Sequence, residues 1–361
     1  MRKFLFLALL VFIGLSLFSN STWIPLFPEL ASSPPIWLKE GLRISFYALT
    51  ATVKPGGGLP ENSVSGAGIL QVDIVALEEG NVAILQTYYL KSNGQYFPSI
   101  AFGGIEKCGL SDYWMNPAVF NHLDRFRTDN SVAAEMPLQI GDKTVQAVRI
   151  EYTTDNGKNV YTYEKETGIL LYSQLKVPSG GNVQSSHLQL ISSRELNLPW
   201  KGVSREAGLA PPTRYSGAVS VNIPGTPPTT LPLQVQVTKV SSGKNWDLLK
   251  LTVSQYGSLP SEIYNVCGTA QLNGPMWMPI TALNMLQQGH ILDYDEITRI
   301  KTSVTFKGAL GSGLLVVIIE QAGDNFVQDY VYDIATGRLI YFKMQMPNGL
   351  GYNITELEAV Q

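Results

Sequence analysis

Apolar and polar residues alternate at a period of two through much of the chain. Tyr215, Gly217, Val219, Val221 and Ile223 interleave with Ser216, Ala218, Ser220 and Asn222, and Leu42, Ile44 and Phe46 repeat the pattern nearer the start. Successive strand side chains point to opposite faces, so this spacing predicts strands with one face on a core. Short glycine-bearing segments separate such runs: EEGN, SNGQ, DNGK and ETGI, then SSGK and ATGR. Glycine supplies the positive φ of tight hairpin turns, so neighbouring strands are expected to pair antiparallel.

Two stretches change to helical spacing. In WMNPAVFNHLDRF, Asn116 is placed to cap, Pro117 sits in the first turn, and Val119, Leu123 and Phe126 fall on one stripe. In WMPITALNMLQQG, Pro279 opens the segment, Ile280, Leu283 and Leu286 turn inward, and Gly289 is a natural stop.

The chain also repeats itself. At a fixed shift of 169, Val148, Ile150 and Glu151 meet Val317, Ile319 and Glu320, and Asp155-Asn156 meets Asp324-Asn325. At the same shift Tyr161, Tyr163, Thr167-Gly168, Leu170, Tyr172, Pro178 and Gly180 meet Tyr330, Tyr332, Thr336-Gly337, Leu339, Tyr341, Pro347 and Gly349. Upstream the match continues at a shorter shift: Leu70–Val72 meets Leu233–Val235, Cys108-Gly109 corresponds to Cys267-Gly268, and Trp114 to Trp277. A period this long marks a duplicated domain, because solenoid units are far shorter. The expected fold is mainly β, with some helix. Two tandem homologous domains, residues 34–196 and 211–361, each form a curved antiparallel sheet of about 7–9 strands with one short helix on its concave face. Residues 22–33 read as an exposed lead-in, and 197–210, LPWKGVSREAGLAPP with its flank, as an exposed linker.

Composition adjusts this picture. The 26 basic and 29 acidic residues leave a net charge of −3, with no basic run to track a phosphate backbone, so no nucleic-acid partner is expected. Charged residues are only 15% of the chain, which suits strands and turns. Residues 1–21 read as a signal peptide or N-terminal anchor: a basic start at Arg2-Lys3, an apolar run from Phe4 to Phe18, then small residues. The body is therefore expected outside the cytoplasm, touching membrane only through that segment if it is uncleaved.

At this point the chain resembles the half-barrel superfamily of periplasmic lipoprotein carriers, in which a curved antiparallel sheet wraps an apolar cavity closed by helices. The likeness rests on the exported context and on hairpins such as YDIATGRLIY. It implies a lipid or other apolar small molecule held in a sheltered concavity. The chain departs from the pattern in its single short helix per unit, its duplication and its lack of a lipid-attachment cysteine.

Catalytic chemistry has little to stand on. His122, His187 and His290 are far apart and none recurs between copies, no HExxH or CxxC pattern exists, and no phosphate-binding loop or GxSxG elbow is present. No metal site and no cofactor are expected. Asp293, Asp295 and Glu296 in LDYDEIT lack the further oxygen donors of a calcium loop and read as a solvated strand edge. Cys108 and Cys267 are the only cysteines. They either bridge the copies across a pseudo-twofold axis or serve as buried small apolar residues. Aromatic residues are the remaining ligand-binding candidates. Trp114 and Trp277 either roof a cavity or staple helix to sheet. Tyr161 with Tyr163, and Tyr330 with Tyr332, either form a stacking platform or a packing ladder. Sequons at Asn20 and Asn353 matter only in a glycosylating host. The function expected from these features is an exported, non-catalytic binding protein for a hydrophobic or amphiphilic ligand. A structural or adhesive surface module and a hydrolase without a recognisable motif are the alternatives.

Overall fold

The structure, a computed structural model, describes residues 23–53, 64–155, 157–179, 182–255, 258–272, 274–347 and 351–360. The N-terminal leader, the sequon at Asn20 and the glycines at 180 and 349 lie outside the described residues. Among the described residues no helix is long and apolar enough to cross a membrane, which says nothing of strands.

Nine strands make the first sheet: β1 (Leu42–Val53), β2 (Val64–Glu78), β3 (Asn81–Ser92), β4 (Gln95–Lys107), β5 (Ser131–Ile140), β6 (Lys143–Thr154), β7 (Gly157–Glu164), β8 (Leu170–Ser179) and β9 (Asn182–Glu195). Their spatial order is β4-β3-β2-β1-β9-β8-β7-β6-β5, antiparallel throughout. Two meanders thus spread from a central seam where the first strand pairs the last, with Ile44 opposite Ser193 and Phe46 opposite Leu190. The second sheet has ten: β10 (Arg214–Asn222), β11 (Thr229–Ser242), β12 (Trp246–Gln255), β13 (Ser261–Gly268), β14 (Ile291–Asp295), β15 (Ile300–Ala309), β16 (Leu315–Ala322), β17 (Val327–Asp333), β18 (Leu339–Pro347) and β19 (Tyr352–Ala359). Its order, β13-β12-β11-β10-β19-β18-β17-β16-β15-β14, repeats the first with β14 added at one edge. The repeated hairpin keeps its register in both copies: Tyr163 faces Leu170, Tyr332 faces Leu339, and a bulge precedes each tyrosine.

The helical segments are shorter and less regular than expected. Asn116 does cap, its Oδ1 accepting from Ala118 N at 2.9 Å, but Pro117–Phe126 is 3₁₀ and breaks at His122 (φ −130°, ψ 49°). The break lets Val119 and Phe120 from one turn and Phe126 from the next all reach the core. In the second unit α1 (Ile280–Met285) is a six-residue helix with Ala282 and Leu283 buried.

The described lead-in, residues 23–33, and the stretch 197–210 are anchored in the cores through buried apolar side chains rather than lying wholly exposed. Trp23, Phe27 and Ala31 are buried in the first core, and Leu196, Leu198, Trp200 and Leu209 in the second. Each stretch lies against the inner face of the sheet that follows it, because a curved sheet with only one short helix leaves apolar surface to cover. The two are the same element: at a shift of 177, Trp23 meets Trp200, Glu29 meets Glu206 and Pro34-Pro35 meets Pro211-Pro212. Each glutamate holds its helical segment, Glu29 through an ion pair with Arg125 and Glu206 by accepting from Thr281 N at 2.8 Å.

The units meet through the outer faces of β2–β4 and the edge strands of the second sheet. Val75, Ala76, Ala83 and Leu85 pack on Trp246 and Val266, and Ile69 and Tyr89 on Ile300 and Phe326. Gly103 permits this approach, since a Cβ there would lie 2.0 Å from Val266 N. Beside this contact sits a buried charge network. Arg43 holds Asp73 bidentately at 2.7 and 2.8 Å and reaches Asp293 at 3.3 Å, while Arg194 grips Asp293 at 2.8 Å and Asp295 at 3.0 Å. Gln71 Nε2 donates to Asp295 at 3.0 Å. The expected solvated edge is therefore corrected: Asp293 and Asp295, two apart on β14, point the same way into the interface and are nearly inaccessible.

Candidate functional site

The repeated aromatic residues form a lock between each sheet and the segment that crosses it. Trp114 and Trp277 are wholly buried. Trp114 Nε1 donates to Cys108 O at 2.8 Å and Trp277 Nε1 to Asp247 Oδ2 at 2.9 Å. Beside them, Met115 N donates to Gly168 O and Met278 N to Gly337 O, both at 2.8 Å, and Leu170 N and Leu339 N return bonds to Tyr113 O and Met276 O. Tyr163 OH donates to Asp112 O at 3.2 Å and Tyr332 OH to Pro275 O at 2.8 Å. Tyr161 is buried, stacked between Tyr152 and Tyr163 with Trp23 edge-on, and Tyr330 packs on Phe342 while donating to Gln328 Oε1 at 3.1 Å. None of the six offers an open face; they lie in the cores as a packing ladder and staple. Desolvation raises the phenols of Tyr161, Tyr163, Tyr330 and Tyr332, so these hydroxyls act as neutral donors.

Cys108 and Cys267 are free, buried thiols, the second of the two readings, and the alternative of a bridge fails for a plain reason. One sits in the first core and the other in the second. Burial raises both thiols, which keeps them protonated and inert. Among the described residues no three His, Cys, Asp or Glu side chains gather as metal ligands.

Much of what remains accessible on the inner faces is apolar. In the second sheet, Tyr215, Val235, Leu251 and Tyr332 are buried beneath the lead-in and helix. Farther along the same faces, Val219, Leu231, Val253, Ile263, Phe342 and Leu357 are only partly covered. They lie toward the β10–β11, β12–β13 and β18–β19 hairpins. In the first sheet Leu70, Leu90, Phe102, Leu175 and Leu190 occupy the corresponding half-covered positions. Each unit is thus a trough packed shut at one end and lined with aliphatic and aromatic groups at the other.

The first trough contains acid that sequence reasoning misses. Glu106 pairs with Val82 across β3–β4 and so faces inward, in phase with Phe102 and Gly104. That phase, an acid continuing an inward-facing row, is the signal that could have found it. Nearby, Tyr113 OH donates to Gln86 Oε1 at 2.7 Å, and Tyr113 N to Ser111 Oγ at 3.1 Å. Burial pushes the Glu106 carboxyl up to about 8, with Ser111 opposing and the Asp112 charge reinforcing, and burial raises Asp112 to about 7. Between the ordinary carboxylate value and those values the folded chain holds more protons than the unfolded chain, so stability falls as pH rises from about 4.5 to about 8. Glu106→Gln is expected to flatten that slope, gaining about 3 kcal/mol at pH 8 relative to the parent. Chemical denaturation of both proteins at pH 5 and pH 8 measures it; parallel pH profiles refute a buried acid.

Two other features lack the parts of an active centre. A cleft of about 380 Å³ lies where the units join, lined by Leu77, Leu196, Leu198, Val203 and Ala270, with Lys39 and Lys201 at its rim. Both lysines are engaged by Glu195. On the outer face of the first sheet, Tyr172 OH lies 3.0 Å from His187 Nδ1 and Ser185 Oγ 3.0 Å from its Nε2. Ser185 is buried and paired on both sides, to Ala51 and Lys176, in the β-ladder.

No family model matches the chain, and no curated protein matches it. Among the solved structures that match, two align over most of its length. One is a protein of unknown function from the DUF3598 family of Nostoc punctiforme, 10% identical, covering 92% of this chain and 97% of its own, with a TM-score of 0.16. The other is a protein assigned as AttH from Nitrosomonas europaea, 9% identical, covering 91% and 99%, with a TM-score of 0.16. Superposition at that level leaves fold and function to rest on the residues of the chain itself.

Proposed function

We propose that this is an exported, non-catalytic binding protein that holds a hydrophobic or amphiphilic ligand against the concave faces of its two sheets, as the resemblance to half-barrel lipoprotein carriers implies. The half-covered row Val219, Val253, Ile263, Phe342 and Leu357 carries the reading. Inward-facing apolar groups of a finished core are normally sealed, whereas these keep contact with solvent that an apolar ligand would displace. The repeated aromatics support it indirectly, since they hold the closed end rigid while leaving the other end free.

Titration with the neutral fluorophore N-phenyl-1-naphthylamine tests this. Val253→Asp, on the inner face, is expected to weaken probe binding at least tenfold, whereas Thr252→Asp, facing outward on the same strand, leaves it unchanged. Equal affinity in the two variants, at unaltered circular dichroism, removes the proposal. Native mass spectrometry of protein from its own source is then expected to show a co-purifying apolar molecule.

A further inference from the structure

We infer that the trough of the first unit takes an amphiphile whose polar end is a cationic amine, held by the carboxylates of Glu106 and Asp112; this rests on the binding role proposed above and specifies the ligand. Glu106 is 8% exposed, and its Oε2 has no hydrogen-bond partner. Asp112 Oδ1 is likewise buried without a partner. Buried carboxyl oxygens in native proteins are almost always satisfied, so two of them, on acids near enough for the Asp112 charge to act on Glu106, call for an occupant.

The surroundings select its charge. Among the described residues, no lysine, arginine or histidine acts on the charge of either acid. Lys107, next to Glu106 in sequence, points to the opposite face and donates to Asn81 Oδ1 at 2.8 Å. The donors nearby are already committed: the Ser111 side chain to Glu106 itself, which still leaves Oε2 without a partner, Tyr113 OH to Gln86, and Tyr163 OH to the Asp112 carbonyl. An anionic head would meet two acids and no cation. A metal ion lacks a third ligand among the described residues. An alkylammonium supplies up to three N–H donors and the missing charge at once. Its tail has a course to follow, because Gln86, Phe102 and Leu90 lie between Glu106 and the open end of the same face and are all partly accessible. Burying an acid without a cation is costly in the empty protein, and a ligand that brings the cation relieves that cost.

Calorimetric titration of the full chain with decylamine, decanol and decanoate at pH 8.5, above the values to which burial pushes both acids, discriminates the outcomes. Decylamine is expected to bind one high-affinity site per chain at least tenfold more tightly than decanol, and decanoate more weakly than either. Glu106→Gln combined with Asp112→Asn is expected to abolish the preference for the amine while decanol binding persists. The double variant should also melt no lower than the parent, since both replacements are isosteric and neutral. Equal binding of amine and alcohol by the parent, or an amine preference that survives the double substitution, overturns the inference and leaves the binding role standing. Failure of all three compounds to bind removes both.

Discussion

Arg43→Ala is expected to lower the unfolding free energy by about 3–5 kcal/mol, the largest single effect at the junction of the two units. Arg43 is almost wholly inaccessible and supplies two hydrogen bonds to Asp73 and one to Asp293. Its removal leaves Asp73 buried with no cation and Asp293 dependent on Arg194 alone. Breaking one side of a buried pair costs more than the pair contributes, because the survivor keeps its desolvation penalty. The loss should be pH-dependent. Burial alone would raise Asp295, but the Thr298 N–H, Arg43 and Arg194 together hold its carboxyl below the ordinary aspartate value. Stability from that carboxylate is therefore present above the unfolded aspartate value and fades as pH falls through the lower folded value, the opposite sense to Glu106. Urea denaturation of parent and variant at pH 7 and in acid measures both effects. A loss under about 1 kcal/mol at pH 7 would mean that water reaches the network as it does a surface pair.

Gly168→Ala is the second large effect, expected at about 3 kcal/mol or more. Its φ of +77° disfavours any side chain, which alone costs about 1–2 kcal/mol. A Cβ would also lie 1.8 Å from Met115 O, so the Trp114–Pro117 loop would have to lift from the hairpin and surrender the Met115 N to Gly168 O bond. Gly141 is the matched control. It has φ +57° with nothing within 4 Å of where a methyl group would stand, so Gly141→Ala should cost only the backbone term, about 1 kcal/mol. Gly337→Ala, with Met278 O at 2.4 Å, should resemble Gly168→Ala in the second unit. Equal melting temperatures for Gly168→Ala and Gly141→Ala would show that the docking contact contributes nothing.

Those glycines explain why the chain says Thr-Gly twice. Each is the place where an incoming loop beginning Trp-Met touches a hairpin, so the Trp-Met and Thr-Gly pairs recur as two halves of one contact. Sequence alone exposes the recurrence and favours packing for the aromatics, but it leaves a ligand role open. Burial resolves that choice, and burial depends on which strands curve over which. The same limit applies to the lead-in. The correspondence of Trp23 with Trp200 is present in the sequence at a shift of 177, but both stretches lack period-two patterning, and the Pro, Gly and charged residues of 197–210 suggest a linker. Asp293 and Asp295 read as a solvated edge because their partners Arg43 and Arg194 are about 100 to 250 residues away and belong to the other unit.

By itself the sequence determined the strands, their hairpins and the duplication, because side-chain alternation and turn glycines act between residues adjacent in the chain. Only the tertiary structure decided that β1 closes on β9, that the lead-in and linker close one end of each trough, that the cysteines stay apart, and that an acid with an unpartnered oxygen faces inward at Glu106. Each of those depends on desolvation and pairing between distant segments, and such energies leave no local mark until the chain has folded.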